Sequence, residues 1–192
     1  MGCHTWIYEK MDVDEGTLRR IKNDFLSKYN RLYNVPPDEL YDMFNKEMDE
    51  KYPDLNPEDR HLDITKDEFA KEISHMRDYC KRNHVLDSFK NGRLEVITIF
   101  VDFNDYFEGK RLVRYHNGNF YALAPYGADF FRVSGYPEDK FTDAENLIGW
   151  LKTRDYVGYH GSRMESDGVT EELEEEIRQM FREHPDTLVE FG

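Results

Sequence analysis

Four residues of this chain carry side chains suited to holding a metal: Cys3, His4, Cys80 and His84. Thiolate sulfur and imidazole nitrogen are the usual ligands of structural zinc, which takes four of them in a tetrahedron. Cys80 and His84 stand four positions apart in a segment of helical periodicity, so on a helix both project from one face. Cys3 and His4 complete a Cys2His2 set if the N-terminus folds against that face. Their adjacency argues the other way, because neighbours in a strand point to opposite sides. Cys80 also continues an apolar stripe of Phe69, Ile73 and Met76, where buried free cysteines are commonly found. Zinc, structural or hydrolytic, is thus the one cofactor the residues suggest; otherwise none is expected.

Other reactive patterns are weaker. Tyr159-His160-Gly161-Ser162-Arg163 resembles the His-Gly-Ser strand with which ADP-ribosyltransferases hold the nicotinamide end of NAD. In that family a long stretch of sheet follows, bearing a tyrosine and a catalytic glutamate. Here 29 residues follow Arg163, most of them reading as a charged helix, and a Gly-Ser turn between two helices is the simpler expectation. Asp12 to Gly16 has the start of a calcium loop, but its glycine comes one residue early and the twelfth-position glutamate is missing. Neither a Gly-x-Ser-x-Gly elbow nor a glycine-rich phosphate loop is present. Enzyme status is left open by these patterns, with a non-enzymatic role favoured.

Charge is the stronger signal. From Asp38 to Asp59 nine acids face two lysines, a net −7, and from Glu165 to Gly192 ten acids face two arginines, a net −8. With a chain total of −14, the remainder is close to neutral. Such blocks set up local fields that attract a basic partner and repel nucleic acid, so direct binding to nucleic acid is disfavoured. Two expectations follow. The carboxylates Asp38, Glu39, Asp42, Glu47, Asp49 and Glu50 of one helix, with Glu171, Glu172, Glu174 and Glu175 of another, can imitate a run of phosphates and occupy the basic surface of a nucleic-acid-binding protein. Alternatively they are solvated helix faces, and acids at a helix start are what its dipole favours.

The elements that position these residues are legible from periodicity. A short strand is expected at His4 to Tyr8, at an edge of the sheet. Leu18, Ile21, Phe25, Tyr29 and Leu32 recur at three and four, one face of a helix that ends at Asn34-Val35-Pro36-Pro37. Leu40, Phe44 and Met48 give the stripe of a second helix, and 52–63 reads as an exposed acidic loop. Thr65-x-x-Glu68 is a capping box opening a third helix. After Asn91-Gly92 the residues turn β-branched and aromatic, and Leu94 to Phe103 reads as a strand. Arg111 to Tyr115 and Phe120 to Ala124 flank Asn117-Gly118, a hairpin signal. A further strand is expected at Asp129 to Val133. Thr142-x-x-Glu145 reads as a second capping box before Leu147, Ile148 and Leu151, and Thr170 caps a last acidic helix near 170–184 with an apolar face of Leu173, Ile177 and Phe181. Helices, then antiparallel strands, then helices predict an α+β fold: one globular domain, 1–192, with helices packed mainly on one face of an antiparallel sheet.

Thirteen Tyr and thirteen Phe support a real core, against the composition of a disordered chain. No run of apolar residues is long enough for a membrane span, no secretory leader is read at the start, and two cysteines suit a reducing compartment. The cytoplasm of a bacterial host is the expected location. Met1-Gly2-Cys3-His4-Thr5-Trp6 and Phe131-Arg132-Val133-Ser134-Gly135-Tyr136-Pro137, before a capped helix, resemble short proteins of phages and prophages. The resemblance implies a phage-type accessory protein and supplies no catalytic residue. The function expected is binding and inhibition of a basic host protein through acidic surfaces; the alternative is a zinc-binding protein or zinc-dependent enzyme. Oligomeric state is left open.

Overall fold

The structure, a computed structural model, describes all residues except 1, 4, 129–130, 136–138 and 160–167; the side chains of 2–3, 126–128, 131 and 159 are also outside the description. Two compact units can be told apart, Asp14–Asp102, and Met1–Val13 together with Phe103–Gly192.

The first unit is helical: α1 Glu15–Asn34, α2 Pro37–Lys51, α3 Pro57–Arg60, α4 Lys66–Arg82 and α5 Val85–Lys90. Asp14 caps α1 by accepting from the Thr17 amide at 2.8 Å, one of the donors a helix start leaves unmet. Pro37 opens α2 at a position where its missing N–H costs nothing. The Thr65/Glu68 capping box of α4 is formed in both directions. Arg77 of α4 donates from Nε to the Leu32 carbonyl at 2.7 Å, satisfying the end of α1 from outside it. Ile21, Phe25, Leu32, Cys80, Val85, Leu94 and Ile97 are buried, with the Phe25 and Phe89 rings tilted against each other, 4.5 Å between centres. By contrast α2 buries no residue completely.

Leu94 to Phe103 corrects the sequence reading. It contains a 3-10 helix, Leu94–Ile99, and not a strand. Leu94 and Ile97 are buried while Thr98 is exposed, so burial recurs every third residue. That is the repeat of a 3-10 turn, and β-branched composition alone did not distinguish it from a period of two.

The second unit is built on antiparallel sheet. Its strands are β1 Gly2–Cys3, β2 Thr5–Met11, β3 Arg114–His116, β4 Asn119–Ala128, β5 Phe131–Ser134, β6 Lys140–Phe141, β7 Val157–Tyr159 and β8 Thr187–Phe191. Five run in the order β3-β4-β2-β8-β6 and three in the order β1-β5-β7. The β3–β4 hairpin turns through Asn117 and Gly118, both at positive φ (45° and 87°), the geometry that matches strand twist. Helices α6 Ala144–Leu151 and α7 Glu171–Glu183 complete the unit.

Ile7, Val189 and Phe191 pack with Leu147, Ile148 and Leu151 of α6 and Leu173, Ile177 and Met180 of α7 in one core. The alternate residues Tyr8 and Leu188 join Tyr121 on the opposite face. The fold is α+β, an antiparallel sheet with helices packed against it. Two placements differ from expectation. The N-terminal strand is central, not at an edge, because β8 pairs with it from Thr5↔Phe191 to Glu9↔Thr187. Helix α6 is capped by Asp143, which accepts from the Asn146 amide at 2.8 Å, rather than by Thr142.

Candidate functional site

The metal-ligating residues are not gathered by helical spacing. Helix α4 ends at Arg82, and His84 lies beyond it in a left-handed conformation, φ 49°. Cys80 is 2% exposed, whereas the His84 ring is on the surface, 4.0 Å from Asp87. The face they were expected to share ends one turn too soon. Burial pushes the Cys80 thiol up, which disfavours the thiolate that zinc requires. The side chain of Cys3 and all of His4 lie outside the described residues, as do 160–163 of the His-Gly-Ser motif. Among the described residues no group of three His, Cys, Asp or Glu is placed to hold a metal ion.

The carboxylates divide into those engaged within the fold and those facing solvent. On α7, Glu174 takes Lys152 at 2.5 Å and Arg178 at 3.2 Å. Those cations hold its carboxyl below the usual range, Lys152 being the larger influence. Arg178 also binds Glu145 of α6 at 2.7 Å, and Arg182 pairs with Glu175. These charges fasten α7 to α6 and to itself. Glu171 and Glu172 are exposed in its first turn and make no ion pair among the described residues.

On α2 the division is similar. Glu47 pairs with Arg31 of α1 at 2.5 Å. Asp42 pairs with Lys66 at the start of α4 at 2.8 Å, and holds that ammonium above its ordinary pKa. Asp49 receives Arg60 at 2.5 Å and His61 at 2.6 Å, and His61 above all pulls its carboxyl down. Three of the six acids expected to meet a partner therefore tie α2 to its neighbours. The need is plain from packing: Leu40, Phe44 and Met48 are only partly buried, over a groove of about 470 Å3 shared with Leu32, Phe69, Ile73 and Met76. Asp38, Glu39 and Glu50 remain without an ion pair among the described residues.

The free charge gathers where α2 ends. Every residue from Glu50 to Asp59 is exposed, and Glu50, Asp54, Glu58 and Asp59 make no ion pair among the described residues. The cation amid them, Lys51, sits 5.3 Å over the ring of Tyr52. Arg60 shapes the segment from below: its Nη1 donates to the carbonyls of Tyr52 (3.3 Å), Pro53 (3.2 Å) and Leu55, while its Nε binds Asp49. One guanidinium, with its planar set of donors, closes the loop around itself. Tyr52 and Leu55 are left 41% and 46% exposed among the carboxylates.

The sequence placed the acids of 52–63 in an exposed loop but did not single out Asp54, Glu58 and Asp59 as contact residues, nor Arg60 as their organiser. Two signals were available. Arg60 stands beside the last acid of its block, and Tyr52 and Leu55 are apolar side chains in a proline-bounded loop, where no helical stripe requires them. No family model, no curated protein and no solved structure matches this chain.

Proposed function

We propose that this chain is a non-enzymatic, phage-type accessory protein that binds a basic host protein and inhibits it by occupying its basic surface. The docking patch is the end of α2, the turn after it and the first turn of α3, residues 50–59. The observation that carries this reading is the coincidence there of four unpaired carboxylates with an exposed tyrosine and leucine on a backbone held by Arg60. Charge speeds encounter and selects a basic partner, while a tyrosine and a leucine can be buried at the centre of the contact. A preorganised loop loses little entropy on binding. Asp38 and Glu39, in the same unit, are free to extend the field; Asp42, Glu47, Asp49, Glu174 and Glu175 are assigned to holding the fold. The phage-type attribution rests on the two segments that resemble phage and prophage proteins. A nucleic-acid-binding host protein fits the chemistry, since its surface is built to meet phosphates.

The test is capture from bacterial lysate on the immobilised chain, beside the variant Glu50→Gln, Asp54→Asn, Glu58→Gln, Asp59→Asn. The expected result is a basic protein retained by the native chain at about 50 mM salt, released near 300 mM, and absent from the variant. Equal retention by the variant removes the patch from the account.

A further inference from the structure

In the sheet-based unit six of the ten described Lys and Arg side chains are held by the fold. Arg114 and Lys140 bind Glu190. Lys152 and Arg178 bind Glu174, and Arg182 binds Glu175. Arg154 lies over the Trp150 ring, 4.5 Å from its centre. Lys10, Lys110, Arg111 and Arg132 have no ion pair among the described residues, and the first three line one groove of about 540 Å3. The carboxylate that lines this groove is Glu9, leaving the lining at a net +2.

The groove is constructed by backbone geometry. Lys10 is on the central strand β2, in register with Tyr121 of β4. Lys110 and Arg111 are on the segment before β3, which turns at Gly109 (φ 74°) and again at Leu112 (φ 49°). A leucine at positive φ is costly, and such conformations persist where the surroundings impose them. The Arg111 carbonyl accepts from the Leu123 amide of β4 at 2.9 Å, which fixes the segment against the sheet. Leu123, in register with Tyr8 and so on the Lys10 face of the sheet, contributes an apolar wall beside the cations.

We propose that this groove binds a phosphorylated small molecule, its phosphates on Lys10, Lys110 and Arg111 and its organic part on the Leu123 wall. Guanidinium and ammonium groups recognise phosphate by charge-assisted hydrogen bonds, and a concave site lined by one sign of charge concentrates the counter-ion. The volume is that of an ordinary small-ligand site.

The experiment is isothermal titration of the full chain with inorganic pyrophosphate and, separately, with ATP, at low salt. The variants are Lys110→Gln/Arg111→Gln and, as a control outside the groove, Lys46→Gln. Both paired side chains are exposed, and unfolding curves verify that the double variant folds. Saturable binding of either probe, weakened at least tenfold by the double variant and unchanged by Lys46→Gln, supports the site. ATP binding tighter than pyrophosphate assigns a role to the apolar wall, and equal affinity assigns recognition to the phosphates. No binding of either probe up to about 10 mM, or equal binding by the double variant, overturns it.

Discussion

Glu171 and Glu174 stand three positions apart on α7 and have different roles. Glu171 faces solvent with no ion pair among the described residues, while Glu174 joins Lys152 and Arg178. Glu174→Gln is expected to lower the thermal midpoint without altering partner binding, and Glu171→Gln to leave the midpoint unchanged; equal midpoints for the two variants would contradict the division. Cys80→Ser places a hydroxyl in the 2% exposed site of the thiol and is expected to cost about 1–3 kcal/mol in urea unfolding. That loss should be the same with and without added zinc; a loss that appears only with zinc would restore the metal reading. At this scale residue type was legible in the sequence and pairing was not. The cations that neutralise Glu47 and Asp42 come from Arg31 and Lys66, 16 and 24 positions away, and only folding brings them there.

Elements were the most legible level, because caps and periodicity are local. The Thr65/Glu68 box, the Asn117-Gly118 turn and Thr170 lie where the chain's chemistry puts them. Thr65→Ala is expected to cost about 1 kcal/mol by urea unfolding, the common worth of an N-cap. The failures were Leu94–Ile99, whose β-branched residues serve a 3-10 turn, and the start of α6, capped by Asp143 where Thr142 was expected; the C-terminal strand β8 was not anticipated. The pH dependence also belongs here. The carboxyls of Asp14 and Glu68 are held low by the backbone and hydroxyl donors they cap, that of Asp49 by His61 and Arg60, and that of Glu145 by Arg178. Lowered folded values mean the native state binds fewer protons than the unfolded chain in the acid range. Their stabilisation is therefore full above the unfolded values near 4 and is lost as pH falls through the folded values. The thermal midpoint should be nearly level from about pH 7 to pH 5 and fall below about pH 4; a level curve down to pH 3 would contradict the assigned ion pairs and caps.

At the scale of the whole molecule the chain joins a helical unit to a sheet-based one, and the latter is closed by residues from both ends of the sequence. Pairing of β2 with β8 links Thr5 to Phe191, a contact no local pattern announces. Leu188 and Val189 of β8 are wholly buried on opposite faces of the sheet. Val189→Asp is accordingly expected to abolish cooperative unfolding of the sheet-based unit, followed by near-UV circular dichroism, since an unpaired buried carboxylate cannot be accommodated there. The charge blocks were visible as totals, and their distribution into ties and free groups became visible only in three dimensions. The proposed binding role rests on the surface charge gathered at residues 50–59. Its most direct test is the dissociation constant of the captured basic partner across a salt series, for the native chain and for the variant Glu50→Gln, Asp54→Asn, Glu58→Gln, Asp59→Asn. The expected result is a steep loss of native affinity with salt and, at low salt, at least tenfold weaker binding by the variant, about 1.4 kcal/mol. Equal constants and equal salt slopes for the two proteins would contradict it.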